Sequence, residues 1–242
     1  MIRQIAQQVR GPLDRTLGPA MGSMMSIDAP RDELVLTFDD GPLPGVTEKL
    51  AEVLADHDAH AVFFVLTTRT RRAPGLVREL SDAGHEIALH GLDHRRITTL
   101  GLREADRWLA EARNELEQDL GHQVRWFRPP HGAQSPQHRL LTARHGMHPV
   151  LWSGTTWDWK DVTHEERVAK AMADARPGAI LLAHDGSADA SDLAVDPAVQ
   201  GVDKPALLDE ILTGFDERGL EAVTLSKALR GAKPVNRLSF SA

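Results

Sequence analysis

From residue 33 onward, short apolar runs rich in β-branched residues alternate with longer stretches whose apolar residues recur at helical spacing. The first pattern is typical of buried strands and the second of amphipathic helices. Strands are predicted at 34–38, 61–66, 86–89, 124–127, 149–152, 179–183 and 222–225. Helices are predicted at 47–57, 74–83, 103–120, 136–145, 164–175 and 204–218. This alternation predicts an α/β fold with a parallel sheet and right-handed crossovers.

Polar residues stand where these strands end. Six of them, spread over five strand ends, are Asp39, Asp40, His90, Arg128, Asp158 and His184. In a βα barrel, catalytic residues gather at the carboxyl edge, because the loops there vary while the packed strands hold their positions. An open doubly wound sheet would instead concentrate the chemistry at one switch point. The distribution therefore favours a barrel.

Composition narrows the function classes. The chain has 242 residues, a net charge of −7 and no cysteine, so thiolate metal sites are excluded and no basic surface for nucleic acid or an anionic membrane is expected. The first residues lack the apolar core of a secretory signal, and no run reaches the ~18 apolar residues of a membrane span. We therefore expect a cytoplasmic protein, unless a leader has been trimmed away. An arm at 1–30, one catalytic domain at 31–232 and a tail at 233–242 complete the predicted organisation.

The acidic segment at 185–203 and eight scattered histidines lie outside the strand-end clusters. Residues 185–203 contain five aspartates and no lysine or arginine, which predicts a solvated acidic loop, with a lid or substrate-selecting element as the alternative. Eight histidines fall on predicted helices or loops, and we expect them at the surface without partners. They are His57, His60, His85, His122, His138, His145, His148 and His164.

A metal site is indicated by two of the strand-end clusters. Adjacent carboxylates Asp39 and Asp40 repel each other, so ionising both requires a cation or another positive group beside them. His90 and His94 lie four residues apart, a spacing that suits two ligands of one ion. Two imidazoles and one carboxylate leave coordination positions open for water and substrate, as in catalytic sites, and the second carboxylate can act as a base. Zinc suits these ligands best, with cobalt, nickel or iron as alternatives.

Three further segments complete the candidate site. Arg128, followed by Pro-Pro-His-Gly, can pair with a carboxylate such as Asp39, and the turn after it can direct backbone N–H groups at an oxyanion. Asp158 can accept a hydrogen bond from one ring nitrogen of His184 and favour its imidazolium, so that the other nitrogen donates a proton. Trp159 and Leu182 would then wall the site.

Taken in order, five motifs resemble those of the polysaccharide deacetylase family, the NodB-homology domain of carbohydrate esterase family 4. They are Thr37-Phe-Asp-Asp-Gly-Pro42, His90-Gly-Leu-Asp-His94, Arg128-Pro-Pro-His-Gly132, Trp157-Asp-Trp159 and Leu182-Ala-His184. The resemblance covers about residues 33–230. It implies a distorted (β/α)7 barrel, resembling a TIM barrel, that removes N-acetyl groups from amino sugars with one divalent metal ion, usually Zn²⁺.

The resemblance also implies a role for each matching residue. Metal ligands would be Asp40, His90 and His94. Asp39 would be the general base, tethered by Arg128, and His184 the general acid, tuned by Asp158. The backbone of His131, with Gly132, would face the oxyanion, and Trp159 with Leu182 would shape the acetyl pocket.

The sequence departs from the family pattern in ways that bear on the substrate. His131 stands where the family usually has tyrosine or phenylalanine, and Thr155 where an acidic residue is frequent. One alternative is therefore a cytoplasmic amidase on the same fold, acting on a sugar conjugate, an antibiotic intermediate or a cyclic amide. A more remote alternative is a non-catalytic carbohydrate-binding relative, which would have no need of base, acid and metal together.

Overall fold

A curled parallel sheet forms the centre of the computed structural model, which describes residues 17–18, 21–194 and 201–241. Its strands are β2 (Glu33–Asp39), β3 (Ala61–Leu66), β4 (Glu86–Gly91), β5 (Trp126–Phe127), β6 (His148–Pro149), β7 (Gly154–Thr155), β8 (Ile180–His184) and β9 (Glu221–Ala222). They lie in the order β6-β5-β4-β3-β2-β8-β7, with β9 also paired to β2, and every pair is parallel.

Helices follow most of these strands, as the βα pattern requires. They are α1 (Thr47–Asp56), α2 (Thr67–Thr70), α3 (Leu76–Asp82), α4 (Leu102–Leu120), α5 (Pro136–Arg144), α6 (His164–Asp174), α7 (Lys204–Glu217) and α8 (Leu225–Ala228). Short 3₁₀ turns lie at Ile97–Thr99, Pro130–Gly132 and Ala190–Asp192. No described helix has both the length and the apolar composition needed to cross a membrane.

Both faces of the sheet are buried, which makes the strand sequences nearly continuous apolar runs. Successive side chains of a strand point to opposite faces. Along β2, Leu34, Leu36 and Phe38 join the cluster beneath the helices, whereas Val35 joins a second, inner cluster. That inner cluster also takes residues from the neighbouring strands, among them Phe64, Ala88, Trp126 and Ile180. The concave side of the sheet is thus a packed interior.

An antiparallel ribbon packs on this interior. It consists of β1 (Ser23–Asp28) and β10 (Lys233–Arg237), which come from the segments predicted as arm and tail. Met24 bridges to Val150 beyond β6, and Ser26 bridges to Ala179 before β8. Met24 and Ile27 belong to the inner cluster. Within the described chain the sheet itself stays open between β6 and β7, and the ribbon fills part of that gap. The remainder of the predicted arm, 1–16 and 19–20, lies outside the described residues.

The predicted α/β barrel in a single domain is confirmed, as a half-barrel, and the element boundaries differ locally. The predicted strand 222–225 ends at Ala222, because the Thr224 side chain accepts a hydrogen bond from the backbone N–H of Lys227 and starts α8. β5 and β6 are two residues each, shorter than predicted. β7 was not predicted, since Gly154 and Thr155 form no apolar run.

The expectation for the eight remaining histidines is wrong for five of them. His85 and His138 are buried. His57, His145 and His164 pair with carboxylates far away in the sequence. These partners come from neighbouring helices, so a pattern confined to one segment could not reveal them.

His57 joins the end of α1 to α7. Its Nδ1 lies 2.9 Å from Asp216 Oδ2 and its Nε2 lies 3.0 Å from Asp209 Oδ1. Hydrogen bonds to Asp209 and Asp216 raise the pKa of His57 above its ordinary value of 6.5. A raised folded-state pKa means that the protonated ring stabilises the fold fully below pH 6.5, and that this stabilisation is lost as the pH rises through the folded-state pKa.

We expect His57→Gln to reduce the pH dependence of stability. The variant should lose unfolding free energy at pH 5.5 and much less at pH 9, with a difference below about 1 kcal/mol because the partner carboxylates are exposed. Urea denaturation of both proteins at the two pH values measures this difference. His122→Gln is the control, because that ring contacts only the neighbouring Gln123 carbonyl among described residues. A loss that is equal at both pH values would contradict the assignment.

Candidate active site

The carboxyl edge of the sheet gathers the polar side chains that point inward. Asp39 ends β2 and stands in register with His184 on β8, while Leu89 on β4 stands in register with Phe127 on β5. Successive side chains of a strand alternate between the two faces of the sheet. Asp39 and His184 therefore point to the inner face, as do His90 after Leu89 and Arg128 after Phe127. Asp39, His90 and His184 border a cavity of about 350 Å³, and Arg128 lies buried behind it. Its lining residues include Asp39, Asp40, His90, His94, His131, Gly132, Asp158, Trp159, Leu182, His184 and Lys204.

Arg128 holds Asp39 at the base of this cavity. The arginine is fully buried, and its Nη1 donates to Asp39 Oδ1 at 2.6 Å and to Thr37 Oγ1 at 2.8 Å. The other donors reach backbone carbonyls, Nε that of Val150 and Nη2 that of Leu151. Burial lowers the pKa of Arg128, and the Asp39 carboxylate opposes that shift. Asp39 is thus fixed through its Oδ1. Its other oxygen, Oδ2, lies 3.9 Å from His90 Nε2.

Asp40, His90 and His94 form a compact cluster beside Asp39. Asp40 Oδ1 lies 3.3 Å from His90 Nε2 and 3.2 Å from His94 Nε2. One ligand atom from each residue falls within 4.8 Å of the others. Burial disfavours the charge of Asp40, but its contacts with His90 and His94 hold the pKa of the carboxyl well below its usual range. The cluster therefore presents one carboxylate and two imidazoles to a common point.

The hydrogen-bond pattern of this cluster fits a metal ion. His90 Nδ1 lies 2.8 Å from the carbonyl oxygen of Arg128, to which it must donate, so the neutral ring carries no proton on Nε2. The lone pair on Nε2 then faces Asp40 Oδ1, which is buried and has no hydrogen-bond partner among the described residues. Two facing lone pairs are unfavourable unless a cation lies between them. A divalent ion at this point would resolve the conflict.

A second ion-pair network lies across the cavity. His184 Nδ1 is 3.1 Å from Asp158 Oδ1, and the backbone N–H of His184 donates to Asp158 Oδ2 at 3.0 Å. Burial opposes the charged ring, but the carboxylates around it, Asp158 first, overcome this effect and raise the pKa of His184 to about 9. At neutral pH the ring is therefore protonated, with Nδ1 held by Asp158.

Lys204 completes this network and was not predicted. Its Nζ donates to Asp158 Oδ2 at 2.8 Å and to the carbonyl oxygen of His184 at 2.7 Å. Burial opposes ionisation of Asp158, yet His184 and Lys204 hold the pKa of that carboxyl far below its usual range. One signal was available in the sequence. Lys204 occupies the first position of α7, where the helix dipole disfavours a cation, and such a placement indicates a carboxylate nearby.

The remaining predicted site residues also border the cavity. His131 has a positive φ of 60°, and its ring centroid lies 4.3 Å from that of His94. Trp159 is 37% exposed and meets His184 edge-on, with ring centroids 5.1 Å apart. Leu182 is buried and lines the cavity, and Gly132 follows His131 in the lining. The structure thus brings every residue of the predicted site into one place, apart from Arg128, which lies fully buried behind Asp39.

The expectation of a solvated acidic loop is wrong for two of its aspartates. Asp185 and Asp192 are both completely buried. Burial raises the pKa of Asp185 to about 7, and its Oδ2 accepts a hydrogen bond from Thr47 Oγ1. Asp192 contacts arginines from α2 and the turn after it. Part of the loop, 195–200, lies outside the described residues.

Comparisons with known proteins agree with this geometry. The family model for polysaccharide deacetylases matches residues 26–150, more than half of the chain. The chain belongs to the polysaccharide deacetylase family. A chitooligosaccharide deacetylase of Azorhizobium caulinodans is 34% identical over 167 residues, which cover 69% of this chain and 80% of that protein. The fold and the expectation of an enzyme of this hydrolase class are therefore confirmed.

Two relatives act on cell-wall material according to their names. The peptidoglycan-N-acetylmuramic acid deacetylase PdaC of Bacillus subtilis is 28% identical over 84% of this chain and 40% of its own length. A solved peptidoglycan N-acetylglucosamine deacetylase, bound to a hydroxamate-type benzamide, superposes with a TM-score of 0.76 at 26% identity. That comparison covers 89% of this chain and 96% of the solved one.

We expect the metal-stripped protein to bind one Zn²⁺ or Co²⁺ ion per chain. Asp40→Asn and His94→Ala should each weaken binding by more than ~100-fold, because losing even an outer partner of a ligand costs roughly 10–100-fold. Isothermal titration calorimetry with Co²⁺ measures the affinity. Asp161→Asn is the matched control, since that carboxylate is exposed and lies outside the cavity. Unchanged affinity in both ligand variants would contradict the site.

We also expect the charge network around His184 to be visible by NMR. In the metal-free protein the ring of His184 should titrate near pH 9. Lys204→Met should raise this pKa further, because it removes a neighbouring positive charge. Asp158→Asn should lower it below 6.5, because burial then acts without its main opposing carboxylate. Titration of the imidazole resonances tests both directions, and a shift of the same sign in both variants would contradict the network.

Proposed function

We propose that this enzyme hydrolyses the N-acetyl amide of N-acetylglucosamine-containing oligosaccharides or polysaccharides and releases acetate. The observation that carries the proposal is the arrangement of three units around one cavity. They are a carboxylate fixed by a buried arginine, a ligand cluster for one metal ion, and a protonated histidine held by an aspartate. Family membership and the names of the relatives supply the chemical class of the substrate.

The metal ligands in this proposal are Asp40, His90 and His94, with Zn²⁺ the preferred ion and Co²⁺, Ni²⁺ or Fe²⁺ as substitutes. When bound, the ion would polarise the acetamide carbonyl and lower the pKa of a coordinated water. The protein's part is to keep the Nε2 lone pairs of both imidazoles available. The carbonyl of Arg128 does so for His90 by accepting the Nδ1 proton.

Asp39 is the general base. Arg128 donates to its Oδ1 and orients the carboxylate, which leaves Oδ2 to accept a proton from the attacking water. As that proton leaves, the water oxygen forms a bond to the acetamide carbon, and the π electrons of the carbonyl bond move to its oxygen, which becomes the oxyanion. A base that is fixed in this way needs no side-chain rearrangement before the reaction.

His184 is the general acid. Its Nδ1 is held by Asp158, so its Nε2 proton is the one available to the leaving group. The pKa of about 9 keeps this proton in place at neutral pH. Donation to the sugar nitrogen as the carbon–nitrogen bond breaks yields a free amine and acetic acid, which ionises to acetate. Solvent then takes the proton from Asp39 and returns one to His184.

The remaining lining residues would orient the substrate. His131 and Gly132 border the cavity, and the backbone of His131 is the proposed donor to the oxyanion. Leu182 and Trp159 provide an apolar wall that suits the acetyl methyl group. Part of the Trp159 ring remains exposed at the entrance, where a sugar ring can stack against it.

The test is acetate release from N-acetylglucosamine oligomers of increasing length and from peptidoglycan fragments, with the metal removed and then restored. Activity should require the metal. Asp39→Asn and His184→Gln should each reduce turnover by at least ~10²-fold, the usual contribution of one general acid or base. A coupled enzymatic assay for acetate gives kcat and KM for each substrate.

Matched controls are Asp161→Asn for the carboxylate and His122→Gln for the imidazole, because neither residue borders the cavity. Near-normal turnover in Asp39→Asn or His184→Gln would remove the assigned role. If the protein binds metal but releases acetate from none of these sugars, the substrate is expected to be a small cytoplasmic amide that is hydrolysed by the same chemistry.

A further inference from the structure

The acidic segment after β8, residues 185–194, touches two of the three proposed metal ligands through its backbone. The N–H of Ala188 donates to Asp40 Oδ2 at 3.3 Å, and the carbonyl of Asp192 accepts from the backbone N–H of His94 at 2.8 Å. Asp40 and His94 come from different loops, after β2 and after β4. The segment is therefore a common support that lies against both.

The start of this segment is packed tightly against the loop that carries Asp40. A Cβ placed on Gly186 would lie 2.7 Å from the carbonyl oxygen of Asp40, and one on Gly41 would lie 1.9 Å from Asp185 Oδ2. Neither position has room for a side chain. Any displacement of the segment would therefore be transmitted to the backbone of Asp40.

The other end of the segment is held by a buried ion pair. Arg69 Nε donates to Asp192 Oδ2 at 2.7 Å, and Nη2 of the same arginine donates to the Ser187 carbonyl at 2.9 Å. The Asp192 side chain is fully buried, and that of Arg69 is 7% exposed. One guanidinium thus connects both halves of the segment to α2, which directly follows β3.

Two neighbours of Arg69 strengthen this attachment. Thr68 Oγ1 donates to Asp192 Oδ1 at 2.9 Å, and Arg72 Nη1 approaches the same oxygen at 3.2 Å. The backbone N–H of Thr68 also donates to the carbonyl of Leu92, in the loop between His90 and His94. α2 therefore contacts the loop of His94 directly and supports it again through Asp192.

We propose that Arg69 and Asp192 are positioning residues for the metal ligands, and this inference rests on the metal site of the proposed function. Their ion pair holds residues 185–194 so that Asp192 and Ala188 fix the backbone of His94 and the carboxylate of Asp40. Neither Arg69 nor Asp192 borders the cavity, so neither is expected to touch substrate or metal. Their effect should therefore appear in metal affinity and coordination geometry.

A purely structural anchor would behave differently. Loss of a buried ion-pair partner lowers stability in any case, because the remaining charge is left unpaired. If the pair served stability alone, the folded variant would bind the metal as tightly as the wild type. Metal affinity of the folded protein, measured below the unfolding temperature, therefore separates positioning from stability.

The experiment compares Co²⁺ affinity and the visible absorption spectrum of bound Co²⁺ in wild type, Arg69→Gln, Asp192→Asn and Thr68→Val. Arg69→Gln and Asp192→Asn should raise the Kd by about 10–100-fold, as for other residues that support a ligand from behind, and should change the spectrum. Thr68→Val removes one hydrogen bond and keeps the side-chain volume. It should therefore change the Kd and the spectrum in the same direction as the other two variants, but by a smaller amount. Arg69→Lys should recover part of the affinity.

Arg71→Gln is the matched control. Arg71 lies beside α2 but pairs with Glu115 and Glu111 on the outer helix α4, so its loss should leave the Kd and the spectrum unchanged. Wild-type affinity in folded Arg69→Gln or Asp192→Asn would overturn the inference. If both variants fail to fold, wild-type values in Thr68→Val would overturn it.

The result of this metal-affinity experiment can be distinguished from the result of the acetate-release test. Weaker metal binding in the variants supports the positioning role even if no sugar substrate releases acetate. A wild type that binds no metal would overturn both proposals.

Discussion

The buried guanidinium of Arg128 is the constraint on which the rest of the site depends. Its donors reach Thr37 and Asp39 on β2 and two carbonyls beyond β6, and its own carbonyl accepts from His90. Its charged group stacks on the ring of Phe64, 4.0 Å from the centroid. A fully buried charge is tolerated only when its donors are satisfied and a counter-charge is close, and the loss of one partner typically costs about 3–5 kcal/mol. Asp39 is therefore fixed by folding in the position that the proposed reaction requires.

The site follows from a simple property of the sheet. Because both faces are buried, alternation along each strand divides its residues between a helix-covered face and an inner face. On β2 the inner residues are Val35, Thr37 and Asp39, which run from apolar to charged as the strand reaches the carboxyl edge. The packed interior and the cavity of the candidate site are thus two ends of one surface, and the apolar end fixes the position of the polar end.

The sequence predicted the parts of the site that are local and missed those that depend on long-range contacts. Asp39 and His90 could be found because each follows a strand whose apolar pattern is clear. The position of Lys204 at a helix start indicated a nearby carboxylate but not which one, because its partner Asp158 lies 46 residues earlier in the chain. The buried state of Asp192 was equally hidden, since its cation Arg69 lies 123 residues away on helix α2. A charge-rich stretch appears solvated until the positions of distant arginines are known.

The same reasoning applies to the fold. The long apolar strands β2 and β3 were predicted almost to the residue. Of the two-residue strands, β5, β6 and β9 were predicted too long and β7 was missed. Such short strands are defined by the hydrogen bonds of their neighbours, so β7 exists because Gly154 and Thr155 lie against β8. The ribbon of β1 and β10 joins residues from opposite ends of the chain, and neither segment carries an apolar run that predicts the other.

The distribution of charge around the cavity points to where a metal ion is needed. Asp39 has Arg128, and Asp158 has His184 and Lys204. Asp185 forms no ion pair within the described part of the chain, and burial raises its pKa to about 7 despite the charge of Lys204, so a proton can neutralise it. Asp40 stays ionised between the imidazoles of His90 and His94, with the charge of His184 also acting on it. In its neutral form His90 offers Asp40 no Nε2 proton, because its one proton lies on Nδ1 and is donated to the carbonyl of Arg128. Among these four described carboxylates, Asp40 is the one that converges with two imidazoles on a common point, where a metal ion could balance its charge.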